Sequence, residues 1–284
     1  MATKIHPTAV IAPGAELGED VEIGPYSVVG PRVRIGERTR IGAHVVIDGA
    51  TTLGAENAIL GQASLGSAPQ DLSYKDEPTR LDIGNSNTIR EFVTINRGTV
   101  KGGGVTSIGD GCLFMACCHI AHDCDIRDHV ILGNNVMLAG HVLVDKYANI
   151  AGGTGAHHFL TIGAFAYVGG MTRLVRDIPP YMIAEGHNAR IRGVNVVGLQ
   201  RAGFKEADLT ELRSVFKRLF RAKQTMRAVL DELREENHQS GFVKHLIASM
   251  SNTELGLKGR YRESLREEFA RLGVLRILEG RTDV

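Results

Sequence analysis

The sequence predicts a mainly β fold, a three-sided parallel β-helix that is followed by an α-helical C-terminal domain. Two observations predict it. Apolar residues recur every six positions through the first two thirds of the chain, and helical spacing replaces this period from about Val196. The composition agrees, because 34 glycines against 8 prolines in 284 residues indicate many tight turns within regular structure.

The six-residue period runs through three stretches of the chain. Every sixth residue from Ile5 to Leu65 is aliphatic, and the apolar series resumes over 83–95 and again over 108–174. Neither the helical period of about 3.6 residues nor the strand period of about 2 explains this spacing. We interpret each hexapeptide as one short strand and one corner, with the aliphatic residue inside and glycine easing the turn. Three hexapeptides then complete a coil, so residues about 18 apart stack in columns.

Two insertions interrupt the coil, at 66–80 and at about 97–107. Loops on a regular scaffold often carry function, and both insertions flank histidine-rich repeats, so we expect them to contribute to a site. We place the β-helix with its inserted loops at residues 1–195 and the α-helical domain at 196–284. In that domain we predict these helices: Asp208–Ala222, with Asp208 as its cap, Thr225–Glu236, Gly241–Met250 and Tyr261–Leu278.

The cysteines follow the repeat. Cys112, Cys118 and Cys124 fall on the small-residue position of consecutive hexapeptides, which predicts buried side chains in the coil. Cys117 is out of phase. Because the four cysteines include no C-x-x-C pair, neither a zinc knuckle nor a redox motif fits.

The overall charge and hydropathy of the chain favour neither nucleic-acid binding nor insertion into a membrane. With 23% charged residues and a formal net charge of +1, the chain shows no excess charge that would favour nucleic acid, and we expect no nucleic-acid partner. The first 15 residues contain no apolar signal segment, and no apolar stretch is long enough to span a bilayer. We therefore expect a cytoplasmic protein without integral membrane contact.

Five histidines lie outside the aliphatic and small-residue positions, so they should point away from the coil interior. They are His119, His122, His141, His157 and His158. The stacking rule places His122, Gly140 and His158 in one column, with His141 in the next, so His122 and His141 should lie about 5 Å apart. An imidazole with an adjacent carboxylate is typical of a general base, and Asp123 directly follows His122.

A metal site is the alternative interpretation of the histidine cluster. A zinc site needs a regular set of histidine, cysteine or carboxylate ligands, and no such set is evident in the sequence. We therefore favour the general base and expect no metal, while any one of these histidines taken alone is also compatible with an ordinary surface residue.

Several motifs resemble a known family of enzymes. The repeat itself resembles the [LIV]-G-x-x-[STAV]-x pattern of left-handed parallel β-helices, and that resemblance implies the handedness. The more specific motifs resemble the UDP-N-acetylglucosamine O-acyltransferases of lipid A synthesis, over residues 5 to about 258. They are His119-Ile-Ala-His122-Asp123-Cys124, Leu138-Ala-Gly-His141, Asp71-Leu-Ser-Tyr, Glu77-Pro-Thr-Arg80, Arg97-Gly-Thr, Gly102-Gly-Gly, Asp177-Ile-Pro-Pro-Tyr and Gly193-Val-Asn195.

The resemblance implies a homotrimer with active sites in clefts between neighbouring β-helices. It also implies direct transfer of a 3-hydroxyacyl chain from acyl carrier protein to the 3-position of UDP-N-acetylglucosamine, without a cofactor. His122 matches the general base, the backbone N–H of Gly140 matches the oxyanion donor, and Gly170 matches the acyl-chain ruler, where glycine leaves room for a long chain unless Met171 or Tyr167 fills the channel. The substrate-binding positions implied in this way are Asp71, Asn96, His119, His141, His158, Asn195 and Arg201.

The chain departs from the family pattern near the expected sugar and nucleotide pocket. The departures are Ser73 in place of lysine (with Lys75 nearby), Asn96 in place of histidine, His158 in place of glutamine, Val197 in place of glutamate and Ala202 in place of arginine. One hypothesis is that Asn96 accompanies a 3-amino rather than a 3-hydroxy sugar as the acceptor.

Basic residues at the end of the β-helix suit an acidic carrier protein and a diphosphate. They are Arg173, Arg176, Arg190, Arg192, Arg201 and Lys205; an ordinary solvated basic face is the alternative. The rival functions are the N-acyltransferase of the same pathway, an acetyl-CoA-dependent transferase, a non-catalytic scaffold and a carbonic-anhydrase-like metalloprotein. The N-acyltransferase normally carries a domain before the repeats, which here begin at Ile5. Residues after about 259 extend past the resemblance, and no role is predicted for them beyond packing.

Overall fold

The computed structural model describes residues 3–266, and it shows a three-sided β-helix with one sheet on each side; the strands pair parallel except for one antiparallel pair, 182–185 with 190–194. Sheet 1 contains β1 (Lys4–Ile5), β4 (Glu22–Ile23), β7 (Arg40–Ala43), β10 (Ala58–Gly61), β13 (Thr88–Ile89), β16 (Leu113–Phe114), β19 (Ile131–Leu132), β22 (Asn149–Ile150), β25 (Tyr167–Val168), β27 (Met182–Glu185) and β28 (Arg190–Val194). Sheet 2 contains β2 (Val10–Ile11), β5 (Val28–Val29), β8 (Val46–Ile47), β11 (Ser64–Ser67), β14 (Thr94–Asn96), β17 (His119–Ile120), β20 (Met137–Leu138), β23 (Gly155–Ala156) and β26 (Arg173–Leu174). Sheet 3 contains β3 (Glu16–Leu17), β6 (Val33–Ile35), β9 (Ala50–Leu53), β12 (Arg80–Ile83), β15 (Val105–Ile108), β18 (Asp125–Ile126), β21 (Leu143–Val144) and β24 (Thr161–Ile162).

The predicted register of one coil is confirmed by the strand pairing. Glu22 lies beside Arg40 and Ile131 beside Asn149, each 18 residues on, and the aliphatic series fills the interior. Small polar side chains at the adjacent position hydrogen-bond to the next coil: Ser27 Oγ, for example, donates to the Gly42 carbonyl at 2.7 Å. The interior therefore contains packed apolar side chains whose neighbouring polar groups are satisfied.

Cys112, Cys118 and Cys124 are buried as predicted, and Cys117 is exposed. Burial raises the pKa of Cys112 and Cys118 to about 11 and that of Cys124 to about 12. Since the thiolate is the reactive form, these three thiols are inert core groups at neutral pH.

Both insertions lie at the same corner, between sheets 2 and 3. The first joins β11 to β12, and the second joins β14 to β15 through a short 3-10 turn (Val100–Gly102). His122, Gly140, His141 and His158 lie at this corner in the following coils, so we call it the histidine corner. A solenoid accepts extra residues at its corners, where the chain turns. Because the insertions and the histidines share one corner, the loops lie next to the histidines.

The helices follow the last strands and pack against the end of the β-helix. They are α1 (Val196–Arg201), α2 (Glu206–Arg221), α3 (Met226–Glu235), α4 (Gly241–Leu255) and α5 (Tyr261–Ser264). The fold class, a β-helix followed by C-terminal helices, is confirmed, while the domain division at residue 195 stays a prediction. Asp208 does not cap α2, because that helix begins two residues earlier and the acid lies in its first turn. Most of the predicted helix Tyr261–Leu278 lies outside the described residues, and within residues 3–266 no helix is long and apolar enough to cross a membrane.

Candidate active site

His122 and Asp123 form a buried pair at the histidine corner. His122 Nδ1 lies 2.7 Å from Asp123 Oδ2, and the two residues are only 7% and 4% exposed. An ionised carboxylate only accepts hydrogen bonds, so the proton belongs on Nδ1, and Nε2 keeps a free lone pair. This is the tautomer that a general base requires.

The second insertion holds the carboxylate in place. Thr99 donates to Asp123 twice, from its backbone N–H to Oδ1 at 2.7 Å and from its hydroxyl to Oδ2 at 2.6 Å. The Asp123 N–H donates in turn to the Thr106 hydroxyl at 2.8 Å. Asp123 also sits at a corner with φ 61°, a left-handed conformation that recurs along the coil, as at His129 and His141. The carboxylate is therefore fixed before any substrate binds.

Two glycines border the pair. A Cβ on Gly140 would lie 2.6 Å from His122 Cε1, and a Cβ on Gly102 would overlap the Asp123 carboxylate. Both positions exclude a side chain because the imidazole and the carboxylate already occupy that space. Among residues 3–266, no backbone acceptor takes the N–H of Gly140. Among the described residues, that N–H is therefore available as a donor beside the His122 ring.

A stack of rings extends the site along the corner. The His141 ring meets the His122 ring edge-on at 5.2 Å between centroids, which matches the predicted spacing. Its face stacks on Phe159 at 4.2 Å, and its Nε2 lies 3.6 Å from Asp123 Oδ2. Burial lowers the pKa of His141 to about 4, although the Asp123 charge acts in the opposite direction. His141 is therefore a neutral imidazole at physiological pH.

His119 and His158 line a cavity that also contains His122. Thr94 Oγ1 lies 2.7 Å from His119 Nδ1, and burial lowers the pKa of both histidines. The cavity has a volume of about 490 Å³ and lies over the outer face of sheet 2. Its lining includes Gln70, His119, His122, Met137, Gly140, Gly155, His157, His158 and Arg173.

The first insertion is tied to the corner by Arg97. This buried guanidinium donates to the Gly66 carbonyl at 2.9 Å and to the Tyr74 hydroxyl at 3.0 Å. Asp71 accepts from the Ser73 N–H, and this bond lowers the pKa of Asp71, with smaller contributions from the nearby His122 and Lys101. Asp71 is thus within electrostatic reach of the His122 pair.

Asn96 lies behind the first insertion. Its Nδ2 donates to the Ala68 carbonyl at 3.0 Å, and its buried Oδ1 has no partner among residues 3–266. The side chain thus helps to hold the insertion, and its proposed link to the sugar stays a prediction.

Gly170 lies at the other edge of sheet 2, at the corner with sheet 1. A Cβ there would lie 3.3 Å from the Gly152 carbonyl, so the space above this glycine is narrow but open. Met171 is 78% exposed, and its side chain lies over Gly153.

Asn195 and Arg201 are not brought together with His122. Asn195 caps α1 by accepting from the Gly198 N–H and donates to the Phe165 carbonyl at 2.9 Å. Phe165 belongs to the corner between sheets 3 and 1, so the width of sheet 3 separates Asn195 from the histidine corner of the same chain.

Comparisons with known proteins assign this architecture to a family. The family described as UDP N-acetylglucosamine O-acyltransferase, domain 2, matches residues 177–258, and the bacterial transferase hexapeptide family matches 14–49 and 105–140. The acyl-[acyl-carrier-protein]–UDP-N-acetylglucosamine O-acyltransferase of Verminephrobacter eiseniae is 52% identical over 82% of this chain and 89% of its own. The enzyme of the same name from Burkholderia lata is 51% identical over 90% of this chain and 99% of its own. The chain belongs to the UDP-N-acetylglucosamine O-acyltransferase family.

Solved structures agree with this family. The UDP-N-acetylglucosamine O-acyltransferase of Moraxella catarrhalis superposes with a TM-score of 0.83 at 38% identity, over 87% of this chain and 96% of that one. The resemblance predicted from the motifs is confirmed, and the chain is an acyltransferase. The rival assignments outside this family, an acetyl-CoA transferase, a scaffold and a carbonic-anhydrase-like protein, are therefore set aside.

Two histidines and one aspartate in the O-acyltransferase site are residue types that can also bind a metal ion. Ligand atoms of His122, Asp123 and His141 lie within 4.8 Å of one another. However, the Asp123 oxygens already accept from Thr99 and His122, so a cation would have to displace these bonds. The geometry favours the proton chemistry of an O-acyltransferase, and the expectation of no metal stays a prediction.

Three contributors to this O-acyltransferase site were not predicted as site residues. Thr99 and Thr106 bind Asp123, and Gly102 makes room for its carboxylate. The sequence offered one signal, the glycine-rich run at 102–104 in the second insertion, but no spacing rule predicts where an inserted loop folds back.

Proposed function

We propose that this acyltransferase moves a 3-hydroxyacyl chain from acyl carrier protein to the 3-hydroxyl of UDP-N-acetylglucosamine, the first step of lipid A synthesis. The observation that carries the proposal is the buried His122–Asp123 pair with the free N–H of Gly140 beside it. The names of the relatives from Verminephrobacter and Burkholderia support the substrates.

His122 acts as the general base in this proposal. Its Nε2 takes the proton from the sugar 3-hydroxyl as the oxygen attacks the thioester carbonyl. The C–O bond forms, and the tetrahedral oxyanion accepts a hydrogen bond from Gly140, an interaction worth roughly 3 kcal/mol in comparable sites. The C–S bond then breaks, and the thiolate of the carrier protein takes the proton back from His122. Since the thioester is already activated, no cofactor takes part.

Asp71, His119, His141 and His158 bind the acceptor in this proposal. They surround the cavity at His122 or lie within electrostatic reach of it. A neutral His141 both donates and accepts a hydrogen bond, which suits sugar hydroxyls better than a second cation would.

We propose that Asn195 and Arg201 reach the same substrate from a neighbouring copy of the chain. Within one chain the width of sheet 3 separates Asn195 from His122, and Arg201 is the last residue of the helix that Asn195 caps. A homotrimer with a cleft between adjacent β-helices brings the two corners together. We place this assembly in the cytoplasm, where acyl carrier protein is found.

The acyl chain lies across the outer face of sheet 2 in this proposal. Met137 supplies an exposed apolar surface there, and Gly155 leaves open space. This face leads from the histidine corner toward Gly170, so glycine at that position leaves room for a long chain. The basic residues at the end of the β-helix suit binding of the acidic carrier protein. One of them, Arg192, already forms an ion pair with Glu185 at 3.1 Å, so its charge is partly neutralised.

The test is transfer from 3-hydroxyacyl carrier proteins of several chain lengths to UDP-N-acetylglucosamine. We expect product with the carrier-protein thioester and little with the CoA thioester. The 3-amino analogue in the same assay tests the Asn96 hypothesis. Absence of transfer from any carrier-protein donor would refute the proposed function.

A further inference from the structure

The C-terminal segment Gly259–Arg266 docks on the histidine corner. The family match ends at residue 258, and 90% of this chain covers 99% of the Burkholderia relative. The segment thus directly follows the last residue that the family model matches. Its position on the corner is defined by contacts with four coil residues.

Two of these coil residues, Asp177 and Val175, fix the segment to the coil. The Asp177 N–H donates to the Gly259 carbonyl at 2.8 Å, and Asp177 Oδ2 accepts from the Tyr261 N–H at 2.9 Å. Arg260, only 5% exposed, donates to the Val175 carbonyl at 2.8 Å and pairs with Glu263. These part-buried bonds join the segment to the coil through both backbone and side-chain groups.

The other contacts reach the site itself. Arg262 Nε donates to the His141 carbonyl at 3.3 Å. The Arg266 guanidinium lies over the Phe159 ring at 4.9 Å, and Phe159 stacks on His141. His141 in turn meets the edge of the His122 ring. One column therefore runs from Arg266 through Phe159 and His141 to the candidate base.

We propose that Arg262 and Arg266 are positioning residues that hold the Phe159–His141 stack against the His122–Asp123 pair for acceptor binding. This inference rests on the proposed function, in which His141 contacts the sugar. Arg262 restrains the His141 backbone, and Arg266 covers the ring face that Phe159 turns away from His141. The Arg262 charge also lowers the pKa of His141, although burial is the larger cause.

The experiment compares Arg262→Ala, Arg266→Ala and their double variant with Arg234→Ala, which removes an exposed arginine paired with Asp231 on α3. We expect the double variant to raise KM for UDP-N-acetylglucosamine about fivefold, because a partly buried cation–π contact and one hydrogen bond are lost. KM for the acyl carrier protein should stay within about twofold of wild type. Arg266→Lys should recover part of the loss because it keeps the cation.

Two results would overturn the inference. One is a double variant whose KM for the acceptor equals that of Arg234→Ala. The other is an equal rise of both KM values together with a lower melting temperature, since that indicates only general destabilisation. If the wild type itself transfers no acyl group, the proposed function fails. An active wild type with an unaffected double variant refutes the positioning role alone.

Discussion

Thr99 and Asp123 are 24 residues apart in sequence, yet they meet through two hydrogen bonds of 2.7 and 2.6 Å. The threonine comes from an inserted loop and the aspartate from a regular coil. The carboxylate beside His122 is thus oriented by a segment that the repeat itself does not need. The insertion is part of the site rather than a surface bulge.

Replacement of Asp123 by asparagine should lower kcat about 100- to 10,000-fold, in the range seen for orienting carboxylates and general bases. With the asparagine oxygen still facing the Thr99 N–H, its NH2 group faces His122 Nδ1. That nitrogen must then accept, so the proton moves to Nε2 and the base is lost. Steady-state kinetics with both substrates saturating measures the effect. An unchanged kcat in a folded variant would show that the carboxylate does not set the tautomer.

Gly140→Ala should reduce kcat strongly while leaving the fold intact. The added Cβ would lie 2.6 Å from His122 Cε1, so the ring must move, and ring displacements of this kind cost up to about 100-fold in rate. Gly193→Ala is the matched control, because a Cβ there meets nothing within 4 Å. Equal activities of the two variants would contradict the placement of His122.

Arg97→Lys should loosen the first insertion. Lysine keeps the charge but does not reproduce the fork that spans the Gly66 carbonyl and the Tyr74 hydroxyl. We expect faster proteolysis within 68–79 and a KM for the sugar nucleotide raised about threefold to tenfold. Arg80→Lys, at an exposed arginine beside Asp82, serves as the control. If both variants are cut at the wild-type rate, Arg97 does not anchor the loop.

His141 should cause part of the loss of folding stability at acidic pH. Its pKa is about 4 in the folded chain, below its ordinary value of 6.5, because burial disfavours the charged ring. Between these values the unfolded chain binds a proton that the folded chain does not, so this contribution to stability is lost as pH falls from about 6.5 toward 4. Urea unfolding at several pH values should show a shallower acid loss for His141→Gln than for the wild type. The same change at exposed His6 is the control, and identical slopes for His141→Gln and the wild type would contradict the shift.

Much of the fold was predictable because the β-helix repeats one simple rule. The six-residue series from Ile5 predicts the strands, their parallel stacking and the 18-residue register that places His122 one coil from His141. In a solenoid each coil contacts only its neighbours in the chain. The repeat period alone therefore determines nearly all of the β-helix fold.

The rest depends on contacts between segments without a shared period. Thr99 reaches Asp123 and Arg262 reaches His141 because loops and tail fold back on the coil. Nothing in their local sequence specifies those partners. The start of α2 was missed for a local reason. The helix begins at Glu206, two residues before the expected cap Asp208, and its actual cap residue, Lys205, makes no side-chain capping bond that the sequence could reveal.

The most direct test is the rate of acyl transfer by His122→Ala at saturating 3-hydroxyacyl carrier protein and UDP-N-acetylglucosamine. The buried pair with Asp123 predicts a loss of kcat of about 100- to 10,000-fold, as expected for a general base, with an unchanged melting temperature. A folded His122→Ala enzyme with wild-type turnover would contradict the account, because no imidazole at this position would then be needed to deprotonate the sugar.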